Sequence, residues 1–66
     1  MDNRIKELRK ASGITQDDLA AAVGVTRQTI ISVESGRYNA SILLAYKIAR
    51  YFDTTIENIF IFEEDL

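Results

Sequence analysis

The sequence predicts an all-α domain of five short helices, and three observations predict it. Apolar residues recur at helical spacing in successive segments, most fully in Leu44, Ala45, Ile48, Ala49 and Phe52. Residues that cap helices stand at the heads of these segments, at Asn3, Thr15, Thr26, Ser41 and Thr55. Glycines stand where three of them should stop, at Gly13, Gly24 and Gly36. The tail Ile61-Phe62-Glu63 is β-prone in composition but too short to be stable alone, so it adds at most a short C-terminal β-strand.

Helix one is expected over about 3–11, with Ile5, Leu8 and Ser12 along one narrow stripe, Asn3 as cap and Gly13 as stop. Helix two, about 16–23, buries Leu19, Ala20 and Val23. Thr15 caps it, and Asp18 three residues on makes a capping-box variant. Gly24 must end it in a left-handed conformation that only glycine adopts cheaply. Helix three, about 27–35, opens on Thr26 and buries Ile30 and Val33. Arg27, Gln28, Ile31 and Ser32 are left nearer the outside, and Gly36 closes the helix. Helix four follows Ser41 and carries the widest apolar face. Thr55 caps a short fifth helix, about 56–60, with Ile56, Ile59 and Phe60. Neither repeats nor a linker interrupt the chain, which reads as one domain over 1–66.

Composition narrows the function. Sixty-six residues, 47% of them apolar, suit a compact domain near the lower size for a self-sufficient core. No apolar run approaches the roughly 20 residues of a membrane helix. Met-Asp-Asn-Arg lacks the apolar region of a signal peptide, and cysteine is absent, so a cytoplasmic location is expected. Without His or Cys, metal sites of the usual nitrogen–sulfur type and His-assisted nucleophiles are excluded. Asp17 and Asp18 point about 100° apart on a helix and do not converge; they suit the positive end of its dipole. There is no glycine-rich phosphate loop. An enzyme, a cofactor, a metal or a small-molecule ligand is therefore not expected. The net charge of −2 is unevenly spread. Residues 1–50 hold eight Lys/Arg against five Asp/Glu, whereas residues 51–66 hold five acids (Asp53, Glu57, Glu63, Glu64, Asp65) and no base. A basic body with an acidic end can offer one face to a polyanion and turn the other away.

The most informative stretch runs from Thr15 to Asn39. Gln16, Leu19-Ala20, the Val23-Gly24-Val25 turn, Arg27-Gln28-Thr29-Ile30, Val33-Glu34, Gly36 and Tyr38-Asn39 resemble the helix-turn-helix of the Cro/cI (Xre) family of phage and bacterial repressors. The resemblance extends loosely from residue 3 to about 60. It departs at Ala40, where many small members have proline, so the loop should be less rigid. The resemblance implies a lambda-repressor-like fold and sequence-specific binding of double-stranded DNA. It also implies transcriptional repression by a homodimer on a palindromic operator.

Candidate contacts follow. In the family a glutamine at the position of Gln16 meets a backbone phosphate and often the edge of an outer base. The carboxamide of Gln28 can donate and accept together, matching adenine N6 and N7 in the major groove. Arg27 is placed for a phosphate or a guanine, and Ser32, one turn on, for a base or a thymine methyl. Ile31 is an odd choice for bare surface and fits a thymine methyl or sugar. Arg37, Tyr38 and Asn39 offer donors to phosphates while also suiting a turn. Thr26 and Thr29 serve as caps or hydroxyl donors. Each position also reads as ordinary solvated surface. Arg9 and Glu34 match a family pairing between helices one and three that fixes the angle of helix three. The run Ile59, Phe60, Ile61 and Phe62, within a segment of about 56–66, is expected to form the dimer interface. The alternative is a protein-interaction or antitoxin-like module, for which the acidic, aromatic C-terminal end is the attraction.

Overall fold

Local capping decides where most of the helices begin. The computed structural model describes residues 1–62, in which the helices are α1 Ile5–Ser12, α2 Gln16–Val23, α3 Arg27–Glu34, α4 Ile42–Tyr51 and α5 Ile56–Ile59. The Thr15, Thr26 and Ser41 side chains accept from the backbone N–H three residues on, at 3.0, 3.2 and 3.1 Å. Gly24, at φ 75°, ends α2 in the left-handed region. The end of α4 has no glycine: Asp53 takes the left-handed position at φ 55°, as short polar side chains can.

Three expectations are corrected. First, α1 begins at Ile5 with Arg4 as its cap position, and Ser12 is exposed. Asn3 accepts from the Ile5 N–H at 3.2 Å but lies in extended chain before the helix. Second, Thr55 stands at the head of α5 without a side-chain capping bond, and the helix stops at Ile59. Third, the C-terminal strand reduces to one antiparallel bridge, Asn3 with Phe60. Its partner is the chain's own N-terminal segment: Arg4 N–H donates to Ile59 O at 2.8 Å, and Ile61 N–H to Asp2 O at 2.9 Å. The Ile61 N–H is thus already used and cannot pair with another copy. Glu63 and the rest of the expected segment to residue 66 lie outside the described residues.

All five helices supply one core. Ile5, Leu19, Ile30, Ile48 and Ile59 are fully buried, with Val33 beside them, and among the described residues every fully buried one is apolar. Each such side chain contributes roughly 1.5–3 kcal/mol by leaving water. Truncating Ile48 to alanine would cost about 2–5 kcal/mol, a large share of the stability of so small a domain. The apolar faces expected for α2, α3 and α4 are the buried ones, with Phe52 half-buried at the edge. This packing leaves one long side of α3 facing outward.

Candidate nucleic-acid interface

The α2–α3 unit is rigid for local reasons. Thr15 and Asp18 form a reciprocal capping box, the Asp18 carboxylate accepting from the Thr15 N–H at 2.9 Å. That backbone bond, reinforced by the Thr15 hydroxyl, holds the Asp18 carboxyl below the usual carboxylate range. Across the turn, Val25 N–H donates to Ala20 O at 3.0 Å. The Thr26 and Thr29 hydroxyls then meet at 3.0 Å, so both are engaged at the start of α3.

Beyond them the outer face of α3 opens. Arg27 and Gln28 are exposed; Thr29, Ile31 and Ser32 are half-buried. Thr26, Gln28, Thr29, Ser32 and Tyr38 line an open hollow of about 320 Å³. Tyr38 reaches it because its N–H donates back to Ser32 O at 3.2 Å, laying the loop along the helix. Arg37 and Asn39 on that loop are exposed. Ile31 lines neither this hollow nor the cleft described next.

A second concavity, about 470 Å³, lies between α1 and the starts of α2 and α3, lined in part by Lys6, Arg9, Gln16, Asp17, Arg27 and Glu34. Arg9 and Glu34 meet in a two-bond pair, Nε–Oε2 and Nη2–Oε1 both at 3.0 Å, with side chains 11% and 8% exposed. Arg9 also donates to Ile14 O at 3.2 Å. The hydrogen bonding to Glu34 outweighs desolvation and raises the guanidinium pKa further, so Arg9 stays charged. Gln16 Nε2 donates to the same Glu34 carboxylate at 3.3 Å, which steadies its carboxamide at the cleft mouth. Arg27 approaches Asp17 at 3.8 Å, both exposed. Sequence reasoning missed Lys6 and Asp17 in this cleft. The signal for Lys6 was its spacing of three residues from Arg9 on one helix.

The C-terminal run divides. Ile59 and Phe60 are 0% and 4% exposed; Ile59 belongs wholly to the domain's own core, away from its expected place in an interface, whereas Phe60 packs into that core and also lines the groove described next. Ile61 remains 38% exposed, and Phe60 and Phe62 line an apolar groove of about 270 Å³ with Met1, Ala40, Ile42, Ala45 and Ile56. Ile42, which lines this groove, and Leu43, next to it on α4, are 85% and 59% exposed and were not anticipated. Their signal was the run Ile42–Ala45, four apolar residues that cannot share one face of a helix. None of the described helices is long and apolar enough to cross a membrane.

The family whose pattern matches the chain is the helix-turn-helix, over residues 5–59. An HTH-type transcriptional regulator of Archaeoglobus fulgidus is 55% identical over 98% of this chain and 92% of its own. One from Methanocaldococcus jannaschii is 51% identical over 98% of both chains. Among solved structures, the restriction-modification controller protein C.AhdI from Aeromonas hydrophila superposes with a TM-score of 0.79. It is 35% identical, over 86% of each chain.

Proposed function

Because the chain belongs to the helix-turn-helix family and is a transcriptional regulator of Cro/cI type, we propose that it is a sequence-specific repressor that binds double-stranded DNA as a homodimer. The observation that carries this reading is the outer face of α3. Gln28 stands exposed over a hollow shared with Ser32 and Tyr38, on a helix whose first turn is locked by Thr26. An α-helix presented in this way fits the major groove, and a carboxamide there can take adenine bidentately. Gln28, Arg27 and Ser32 read bases, and Ile31 borders a thymine methyl or sugar. Gln16 at the mouth of the second cleft, with Arg37, Tyr38, Asn39 and the engaged hydroxyls of Thr26 and Thr29, sets the register on the backbone. Lys6 joins Gln16 on the same phosphate run. The Arg9–Glu34 pair sets the angle at which α3 meets DNA.

One domain covers only a half-site. A second copy seats on the apolar groove lined by Ile42, Phe60 and Phe62 and reaches Ile61, which is exposed and adjacent to that groove in the chain. Two such domains present their α3 helices to half-sites of a palindromic operator, about one turn or 34 Å apart. Binding at a promoter in the cytoplasm blocks transcription by occupancy. The test is an electrophoretic shift on promoter fragments from the source genome, against random DNA. Retention of a subset of fragments at random-DNA excess supports the reading; equal retention of all, or none, overturns it.

A further inference from the structure

We propose that Asn3 is a positioning residue for DNA binding, tying the C-terminal end of α3 and its loop to the C-terminal segment. The inference rests on the reading above, in which α3 and the loop Arg37–Asn39 meet DNA. Asn3 lies far from that surface in sequence, yet its carboxamide works in two directions. Its Nδ2 donates to Val33 O, in the last turn of α3, at 2.8 Å, and its Oδ1 accepts from the Ile5 N–H at 3.2 Å. Its backbone forms the antiparallel bridge with Phe60, flanked by the bonds of Arg4 to Ile59 and Ile61 to Asp2.

The acceptor that Asn3 takes is a consequential one. Val33 O also accepts from the Gly36 N–H at 3.1 Å, so both of its lone pairs are used, one by the turn that starts the loop and one by Asn3. Gly36 itself, at φ 83°, accepts from the Met1 amino nitrogen at 3.0 Å. A Cβ there would come within 3.3 Å of Met1 O. The turn leading to Arg37 is therefore clamped from outside by the extended segment of residues 1–4, which is itself laced to residues 59–61. Carbonyls in the last turn of a helix otherwise rely on water or on local turns, which leave the following chain freer. Of the common side chains, only a short carboxamide donates to Val33 O and accepts from Ile5 N–H at once. Fixing the loop before DNA arrives removes an ordering cost from binding.

The experiment compares wild type and Asn3→Ser on a genome-selected DNA fragment and on random DNA, by fluorescence anisotropy over a series of salt concentrations. The serine hydroxyl can still accept from Ile5 but is too short to reach Val33. Affinity is expected to fall about fivefold to tenfold on both DNAs alike. The slope of log K against log salt should shrink by about one phosphate equivalent. A purely structural role would lower the melting temperature and leave the slope of the folded protein unchanged. In an Arg37→Ala/Asn39→Ala background the Asn3→Ser loss should largely vanish, because the loop contacts it serves are gone. Should Asn3→Ser not fold, the charge-balanced pair Asn3→Asp with Asp2→Asn keeps the acceptor for Ile5, loses the amide donor and is measured in its place. Unchanged affinity and slope in the variant, or full additivity with the loop substitutions, overturns the inference. A wild type that binds neither DNA instead overturns the reading on which it rests.

Discussion

Replacing Glu34 by glutamine removes one charge from the cleft beneath the proposed interface with little change of shape. In the wild type Arg9 gives two hydrogen bonds to Glu34 at 3.0 Å and one to Ile14 O at 3.2 Å. After substitution the new carboxamide oxygen can accept only one of the two bonds and its amino group opposes the other, so a guanidinium that is 11% exposed keeps two neutral carbonyl acceptors and no counter-charge. Two limits bracket the cost: about 0.2–1 kcal/mol for losing an exposed pair, and about 3–5 kcal/mol for stranding a fully buried charge. The exposures of 11% and 8% place the pair toward the buried limit, but the open cleft of about 470 Å³ admits water to Arg9. A loss of about 2–3 kcal/mol follows, against a total of roughly 3–10 kcal/mol for a domain of this length. At about 4–8 °C per kcal/mol, the melting temperature should fall by roughly 10–20 °C. Arg9→Met with Glu34→Gln should recover much of this, because no charge is then stranded. Circular-dichroism melts of the wild type, both single variants and the double variant complete the cycle. The expected coupling is about 1–3 kcal/mol. Single variants that melt within about 2 °C of wild type, or strictly additive losses, would refute the reasoning.

Other consequences are separately measurable. Arg37→Ala should weaken binding to all sequences alike and reduce the salt slope by about 0.9, read from anisotropy titrations at four salt concentrations. Asp18 is held below its ordinary pKa by the Thr15 box, so its contribution to stability is present above that ordinary value and is lost as pH falls through the depressed one. Acid melts of Asp18→Asn should accordingly show a shallower loss of stability below about pH 4 than wild type; parallel curves would exclude the box as the cause. Ile42→Glu, at a site 85% exposed, should leave the melting of the protomer nearly unchanged but turn a dimer into a monomer in sedimentation equilibrium. A variant that stays dimeric would remove the groove from the interface.

Most of the fold was legible because it is written locally. Thr15 with Asp18, Gly24, Thr26 and Ser41 each act within four residues, and the structure places all of them at the helix ends they signal. The apolar stripes of α2, α3 and α4 were legible for the same reason. What escaped depends on contacts between distant segments. Asn3 reads as a helix cap because asparagine usually is one; that it serves Val33, 30 residues away, has no local signature. Ile59 reads as sticky surface because the N-terminal segment that covers the backbone beside it cannot be inferred from its own neighbourhood. The candidate site is gathered only in part, because Arg27 lies in a different hollow from Gln28 and Ser32 and Ile31 lines neither. Its residues lie within 24 positions of one another, from Gln16 to Asn39, and the two hollows bring Gln28, Ser32 and Tyr38 together in one, and Gln16, Arg27 and Glu34 in the other.

Base reading by the outer face of α3 is measured most directly by selecting genomic fragments with wild type and with Gln28→Ala and sequencing what each retains. Wild type should enrich an inverted repeat with half-sites about one helical turn apart. Gln28→Ala should lose about 1–3 kcal/mol on that repeat and relax its preference at one base position in each half-site, leaving the other positions intact. An identical enriched repeat from both proteins, or none from wild type, would contradict the assignment of base reading to this helix.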